Sequence, residues 1–251
     1  YRGLYHWNLY FCRNLYQDFM AVSLNYMKGL QSFWQVFTAL KKLAPLKLKL
    51  KGAIMYNRDQ KVIGMLSKSS PKATKQICIF VLDSVRNQFI GTERRLKEIK
   101  RFGANAKALN NKTKAKGYKY IQRNFNHLHE VIHAKDLTIA DKLVALTEIP
   151  NIGLVKAGFI LQLCLGKVGC IDCHNALKFD VDLTKFKLNY TNRLATKIKK
   201  AQQYIELCEQ AGGSRKLWNG WCKTIAKKYP AYFDNANDVS RVHADAIVSV
   251  M

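Results

Sequence analysis

Only four prolines and fourteen glycines interrupt the 251 residues, too few for a chain built mainly from turns and short strands. Acid is also scarce: 17 Asp and Glu stand against 42 Lys and Arg, a formal net charge of +25. An excess of that size does not describe an evenly solvated surface, and it calls for a polyanionic partner. No apolar run reaches the roughly 18 residues of a membrane span, because Lys156 and Lys167 break the best candidate. The seven cysteines are irregularly spaced and mostly set in apolar segments, unlike the disulfide framework of a small secreted domain.

What is present is 48% hydrophobic residues with apolar and lysine-rich positions at helical spacing, which predicts an all-α chain with a sizeable core. Residues 1–44 are aromatic and apolar, suited to one long helix or two shorter ones packed on a core, or else to a membrane interface or partner surface; Pro45 ends them. Residues 46–66 (LKLKLKGAIMYNRDQKVIGML) alternate and turn at Asn57 to Asp59, which predicts a small β-hairpin. Ser67 to Pro71 reads as a linker. Helices are expected over 73–90, 92–102, 118–134, 141–147, 154–165, 174–181, 190–210, 216–229 and 236–248, with 103–117 a polar loop or broken helix.

Two stretches concentrate the positive charge. Residues 94–120 hold Glu98 as their only acid and residues 183–200 hold none, so either can track a phosphate backbone. Lys114, Lys116, Tyr118 and Lys119 are the candidate contacts in the first, with Tyr118 and Tyr120 as candidates to stack on a base.

The segment 146–174, LTEIPNIGLVKAGFILQLCLGKVGCIDCH, carries the sharpest pattern. Pro150 cannot continue a helix, Asn151 and Gly153 tolerate a left-handed turn, and Ile149 and Ile152 can plug the turn into a core. A helix-hairpin-helix follows, with the amides of Asn151, Ile152, Gly153, Leu154 and Val155 free at a helix N-terminus to bind phosphate. Through Pro150, Ile152, Gly153, Ala157, Ile160, Leu161, Gly166, Asp172 and His174, the segment resembles the helix-hairpin-helix-GPD superfamily of base-excision DNA glycosylases.

That resemblance implies two helical lobes, a central one of residues 71–166 and a second built from 1–70 and 167–251, with Asp172 in the cleft between them. It assigns Asp172 the catalytic role: a carboxylate beside the sugar stabilises the oxocarbenium-like cation formed when the N-glycosidic bond breaks and orients the attacking water. Double-stranded DNA is the implied partner, gripped by its phosphates, with no obligate protein partner and no membrane. No organic cofactor is implied, though a monovalent cation on the hairpin carbonyls is. The Schiff-base lysine of bifunctional members falls at Val155, and Lys156 is one residue later, rotated by roughly 100° on a helix; a monofunctional enzyme is expected, with a displaced role for Lys156 left open. The segment between Gly166 and Asp172 is one residue shorter than the family's, Asn151 replaces a common glycine, and Cys208 and Cys222 alone cannot form the four-cysteine iron-sulfur loop of some members. With no recognisable signal peptide, a reducing, DNA-containing compartment such as cytoplasm or nucleoid is expected, or a phage virion.

Two short motifs compete. His129-Glu130-Val131-Ile132-His133 is an HExxH, the spacing that sets two imidazoles on one helix face for zinc; His174, Glu148 or Glu206 would have to supply a third ligand, and packing histidines are the plainer reading. Cys170-Ile171-Asp172-Cys173-His174 is a CxxCH, suited to haem attachment or to redox and zinc chemistry with Cys208 and Cys222; packed free thiols are the plainer reading. Likewise, His174 is read as orienting or capping the helix after Asp172, and Trp218, Trp221 and Tyr229, near helical spacing, as core. Two other functions fit the same residues: a DNA-packaging protein that keeps the fold without turnover, and a phage relative that modifies bases.

Overall fold

The computed structural model describes residues 56–109, 111–189 and 191–248. Among them every regular element is helical: α1 (Tyr56–Ser69), α2 (Pro71–Asp83), α3 (Thr92–Phe102), α4 (Lys112–His133), α5 (Ile139–Leu146), α6 (Leu154–Leu165), α7 (Cys173–Phe179), α8 (Leu194–Gln210), α9 (Gly213–Lys228) and α10 (Ala236–Val248). The all-α expectation holds for these residues. The aromatic segment 1–44 and residues 46–55 of the expected β-hairpin lie outside them.

The remainder of that β-hairpin does not form. Residues 56–66 are the body of α1, and the expected linker is its last turn followed by the proline that starts α2. The alternation that suggested strands sits mainly in 46–50, whereas Ile63 and Ser67, four residues apart, are both buried. Gly64 places α1 against α6, because a Cβ there would stand 3.1 Å from the Cys164 carbonyl oxygen. The expected helix over 73–90 stops at Asp83, after which the chain turns through 84–91, with Arg86 at φ 57° and Gly91 at φ 85°. Gly103–Asn105 and Lys107–Leu109 form two short 3-10 turns, and α4 begins at Lys112.

Helix α6 is the hub. Leu154, Ala157, Phe159, Ile160, Leu161 and Leu163 are all buried, so it is apolar around nearly its whole circumference, as a central helix must be. It packs against α1, α2 and α5, while α2 also lies along α4, and α10 closes on α9 and α1. Capping follows the local sequence. Thr138 and Asp141 make a capping box at α5, and the buried Lys142 donates from Nζ to the Ile132 and Ala134 carbonyls at the end of α4.

One buried ion pair fixes the turn after α2. Arg95 Nε donates to both Asp83 carboxylate oxygens at 3.0 Å, and Asp83 is fully buried. The same guanidinium donates to the Ile90 and Gln88 carbonyls and to Thr92 Oγ1, while Asn87 Nδ2 donates to Asp83. Charge and hydrogen bonding together give 84–92 a defined course.

Candidate functional site

The hairpin forms as the sequence suggests. Pro150 and Asn151 make the turn, Asn151 takes φ 75°, and Ile149 and Ile152 are buried plugs. Gly153 caps α6 in an extended conformation and accepts from the Lys156 and Ala157 amides. One expected phosphate donor is withdrawn, because the Ile152 amide donates to the Ile149 carbonyl at 3.0 Å. Among the described residues the amides of Asn151, Gly153, Leu154 and Val155 have no acceptor, so the N-terminus of α6 still offers several donors to an anion. The carbonyls of Ile149 and Gly153 already accept within the turn, and that of Pro150 is turned against Gly117 of α4. A monovalent cation on the hairpin would share the Ile149 and Gly153 oxygens with the hydrogen bonds they already accept.

The basic residues of α4 divide. Lys116 and Lys119 are exposed. Lys114, expected on DNA, is instead buried, and its Nζ donates to the Asp83 carbonyl at 3.0 Å; burial draws its pKa down, opposed by Asp83. It satisfies the end of α2 rather than facing solvent. Tyr118 is half-buried beside Gly103, and burial raises its phenol pKa. Tyr120 is also half-buried, and its hydroxyl donates to Glu148 Oε2 at 3.4 Å.

Asp172 is the N-cap of α7. Its Oδ1 accepts from the His174 and Asn175 amides at 3.1 and 3.0 Å, while Oδ2 has no hydrogen-bond partner among the described residues. The Asn175 side chain fixes the approach by donating to the Cys170 carbonyl at 2.8 Å. Tyr204 holds the preceding strand of chain, accepting from the Ile171 amide and donating to the Gly169 carbonyl. Gly158 lets that strand lie against α6, since a Cβ would meet the Gly169 carbonyl oxygen at 2.6 Å.

Asp172 and Lys156 line the same cavity, about 560 Å³ in volume. Lys156 Nζ donates to Ser84 Oγ at 3.1 Å and stands 5.5 Å from the centre of the Phe159 ring. One wall is the turn 84–89 and its flanks, another the start of α6, and a third the segment around Asp172 together with Trp218, Trp221 and His243. The aromatic lining is packed edge to face: Phe80 meets His243 at 4.3 Å and Trp218 meets His243 at 4.7 Å, while Phe89 stacks parallel on the same imidazole at 5.6 Å. His243 is buried, and its Nδ1 has no hydrogen-bond partner among the described residues. Burial, reinforced by Lys156, holds its pKa down at about 3, so the ring is neutral.

Sequence reasoning placed Asp172 and Lys156 together but missed the aromatic walls. Trp218, Trp221 and Tyr229, read as core, do belong to it or pack against it, and they line this cavity as well. Their helical recurrence was the available signal, and it cannot separate a core face from a cavity face. Phe80, Phe89, Phe159 and His243 lie far apart along the chain and gave none.

The two histidines of the HExxH motif pack within the fold. His129 Nδ1 lies 2.9 Å from Thr74 Oγ1 and His133 Nε2 lies 3.0 Å from Ser67 Oγ, so the two rings tie α4 to α2 and α1. Burial lowers the pKa of both, that of His133 to about 4. Among the described residues, no three His, Cys, Asp or Glu side chains are grouped to hold a metal ion. Cys170, Cys173, Cys208 and Cys222 are free thiols; Cys173 is exposed, so the expected packed pair does not form, while burial pushes Cys170 and Cys208 up to about 12, against thiolate chemistry at those two. No helix among the described residues is long and apolar enough to cross a membrane. Comparison with known proteins yields no match, whether to a family model, a curated protein or a solved structure.

Proposed function

We propose that this chain binds double-stranded DNA through the hairpin at 150–155 and hydrolyses the N-glycosidic bond of a base flipped into the aromatic cavity. The observation that carries the proposal is the meeting of Asp172 and Lys156 on one cavity walled by Phe80, Phe159, Trp218 and Trp221. A volume of about 560 Å³ lies within the range of roughly 300–1,000 Å³ common for small-ligand sites, and its apolar walls suit a planar ring.

The chemistry follows from what lines the space. Unstacked from the duplex, the base enters among the aromatic rings, which replace part of the stacking it loses. Asp172, fixed through Oδ1, turns the remaining carboxylate oxygen to the sugar and stabilises the positive charge that develops as the bond to the base breaks. It also orients a water for attack at the anomeric carbon. The walls come from residues 80–162 and 170–243, segments that the family resemblance would assign to a central lobe and a second one. The free amides at the start of α6 and the exposed Lys116 and Lys119 supply phosphate contacts, and the overall charge of +25 favours the polyanion.

A second reading rests on the same carboxylate. Asp172 already caps α7, and a cap needs no catalysis. On that reading the chain is a DNA-organising protein that keeps the cavity without turnover. Measuring base release and DNA affinity separately, in wild type and Asp172→Asn, distinguishes the two: an enzyme loses release and keeps affinity, whereas an organising protein releases nothing in either form.

A further inference from the structure

Resting on the glycosylase reading, we infer that Lys156 restricts the substrate to bases that are neutral before cleavage, and excludes cationic N-alkylated bases. Lys156 makes no ion pair among the described residues, and its ammonium already stands over the Phe159 ring. An aromatic cavity would otherwise favour a cation, through the attraction of ring faces for positive charge. Here the protein's own ammonium occupies such a face, and Arg86 and Lys228 add two more cations to the lining against the single carboxylate of Asp172. A positively charged base would enter against the half-buried ammonium of Lys156, with the exposed and more strongly screened Arg86 and Lys228 adding to the same sign.

The reach of the Lys156 charge is visible in its surroundings. It helps to keep His243 neutral at the cavity wall and opposes the effect of burial on the Cys170 thiol. The enclosed imidazole, held neutral, adds no charge of its own to the cavity, and its Nδ1, unpartnered among the described residues, is a neutral polar group beneath stacked Phe89.

The same ammonium solves a problem that only neutral bases pose. When the bond between the anomeric carbon and the base nitrogen breaks, the electron pair goes to the base. A cationic base leaves as a neutral molecule and needs no help; a neutral base leaves as an anion unless it takes up a proton. Lys156 stabilises that anion and can donate the proton, while Asp172 stabilises the sugar cation. Water then adds to the anomeric carbon, releasing a proton that restores the ammonium through solvent. Removing one preorganised charge of this kind costs on the order of 100-fold in rate.

The test uses the full chain and duplexes carrying uracil or 5-hydroxymethyluracil as neutral bases, and 7-methylguanine or 3-methyladenine as cationic ones. Wild type is expected to release a neutral base and neither cationic base, Lys156→Gln to lose about 100-fold in that release, and Lys156→Glu to bind the cationic duplexes more tightly than wild type does. Fluorescence anisotropy with Asp172→Asn gives a reading independent of turnover, and the same variant carrying Lys156→Gln as well shows how much of the discrimination belongs to Lys156 and not to the lost carboxylate. Tighter binding of neutral-base duplexes supports the inference even if no base is ever released, in which case the glycosylase reading alone falls. Release of a cationic base at a rate comparable to a neutral one, or equal or tighter binding of the cationic duplexes, overturns the inference and leaves the glycosylase reading standing if release depends on Asp172.

Discussion

Gly117 of α4 lies directly against the carbonyl oxygen of Pro150, so closely that a Cβ would overlap it and would also press on Leu82 at 3.0 Å. The hairpin is thus seated on a helix 33 residues earlier in the chain. Gly117→Ala is expected to lower stability by roughly 1–3 kcal/mol, the usual effect of overpacking, and to weaken DNA binding by displacing the turn. Urea unfolding and fluorescence anisotropy check the two effects; unchanged values in both would mean the hairpin is not held by this contact.

Burial separates the lysines of α4. Lys116→Ala and Lys119→Ala should each reduce the slope of log affinity against log salt by about one where a phosphate contact is lost. Lys114→Met should leave that slope unchanged and lower the urea midpoint, since its ammonium serves the Asp83 carbonyl. A reduced slope for Lys114→Met would put its side chain on DNA after all.

Arg95→Met removes the only cation bonded to the buried Asp83 carboxylate among the described residues. Breaking one partner of such a pair typically costs about 3–5 kcal/mol. The turn 84–92, a cavity wall, should loosen as well. Thermal unfolding of Arg95→Met, Asp83→Asn and the double variant is the check: coupling requires that the double lose less than the sum of the singles.

Acid sensitivity should begin above the carboxylate range. An unfolded histidine takes up its proton near pH 6.5, whereas burial, with the charges of Lys142 and Lys68 and the neighbouring His129, lowers folded His133 to about 4. Between those values the unfolded state binds more protons, so stability falls as pH drops from 6.5 towards 4 and is flat above. The neutral His243 extends the fall to about pH 3. Urea midpoints between pH 7 and 5 test the sign, and His133→Asn should flatten part of that decline. A midpoint that stays constant across this interval would refute it.

Helix limits were legible where apolar periodicity and breakers agreed. Residues 92–102, 154–165 and 236–248 are helical over the spans their pattern predicts. Periodicity misled at 56–66, where a neighbouring alternating stretch was extended into residues that bury Ile63 and Ser67 against other helices. It also misjudged Lys114, because a basic run does not reveal which ammonium finds a buried carbonyl. Asp172 and Lys156 could be named from the hairpin motif. The aromatic cavity could not, because Phe80, Phe159, Trp218 and His243 come from four helices and meet only through tertiary packing.

Asp172 carries two separable roles, and the central claim rests on separating them. Asparagine can accept the same two amide hydrogen bonds, so Asp172→Asn should preserve the cap of α7, whereas Asp172→Ala should cost about 1 kcal/mol. The most direct measurement is mass spectrometry of free bases released from duplexes carrying damaged, mismatched and phage-type modified bases, with wild type and Asp172→Asn compared at matched DNA affinity. The account predicts release of at least one base by wild type and its loss in Asp172→Asn. No release from any duplex by wild type, or release that persists in the variant, would contradict it.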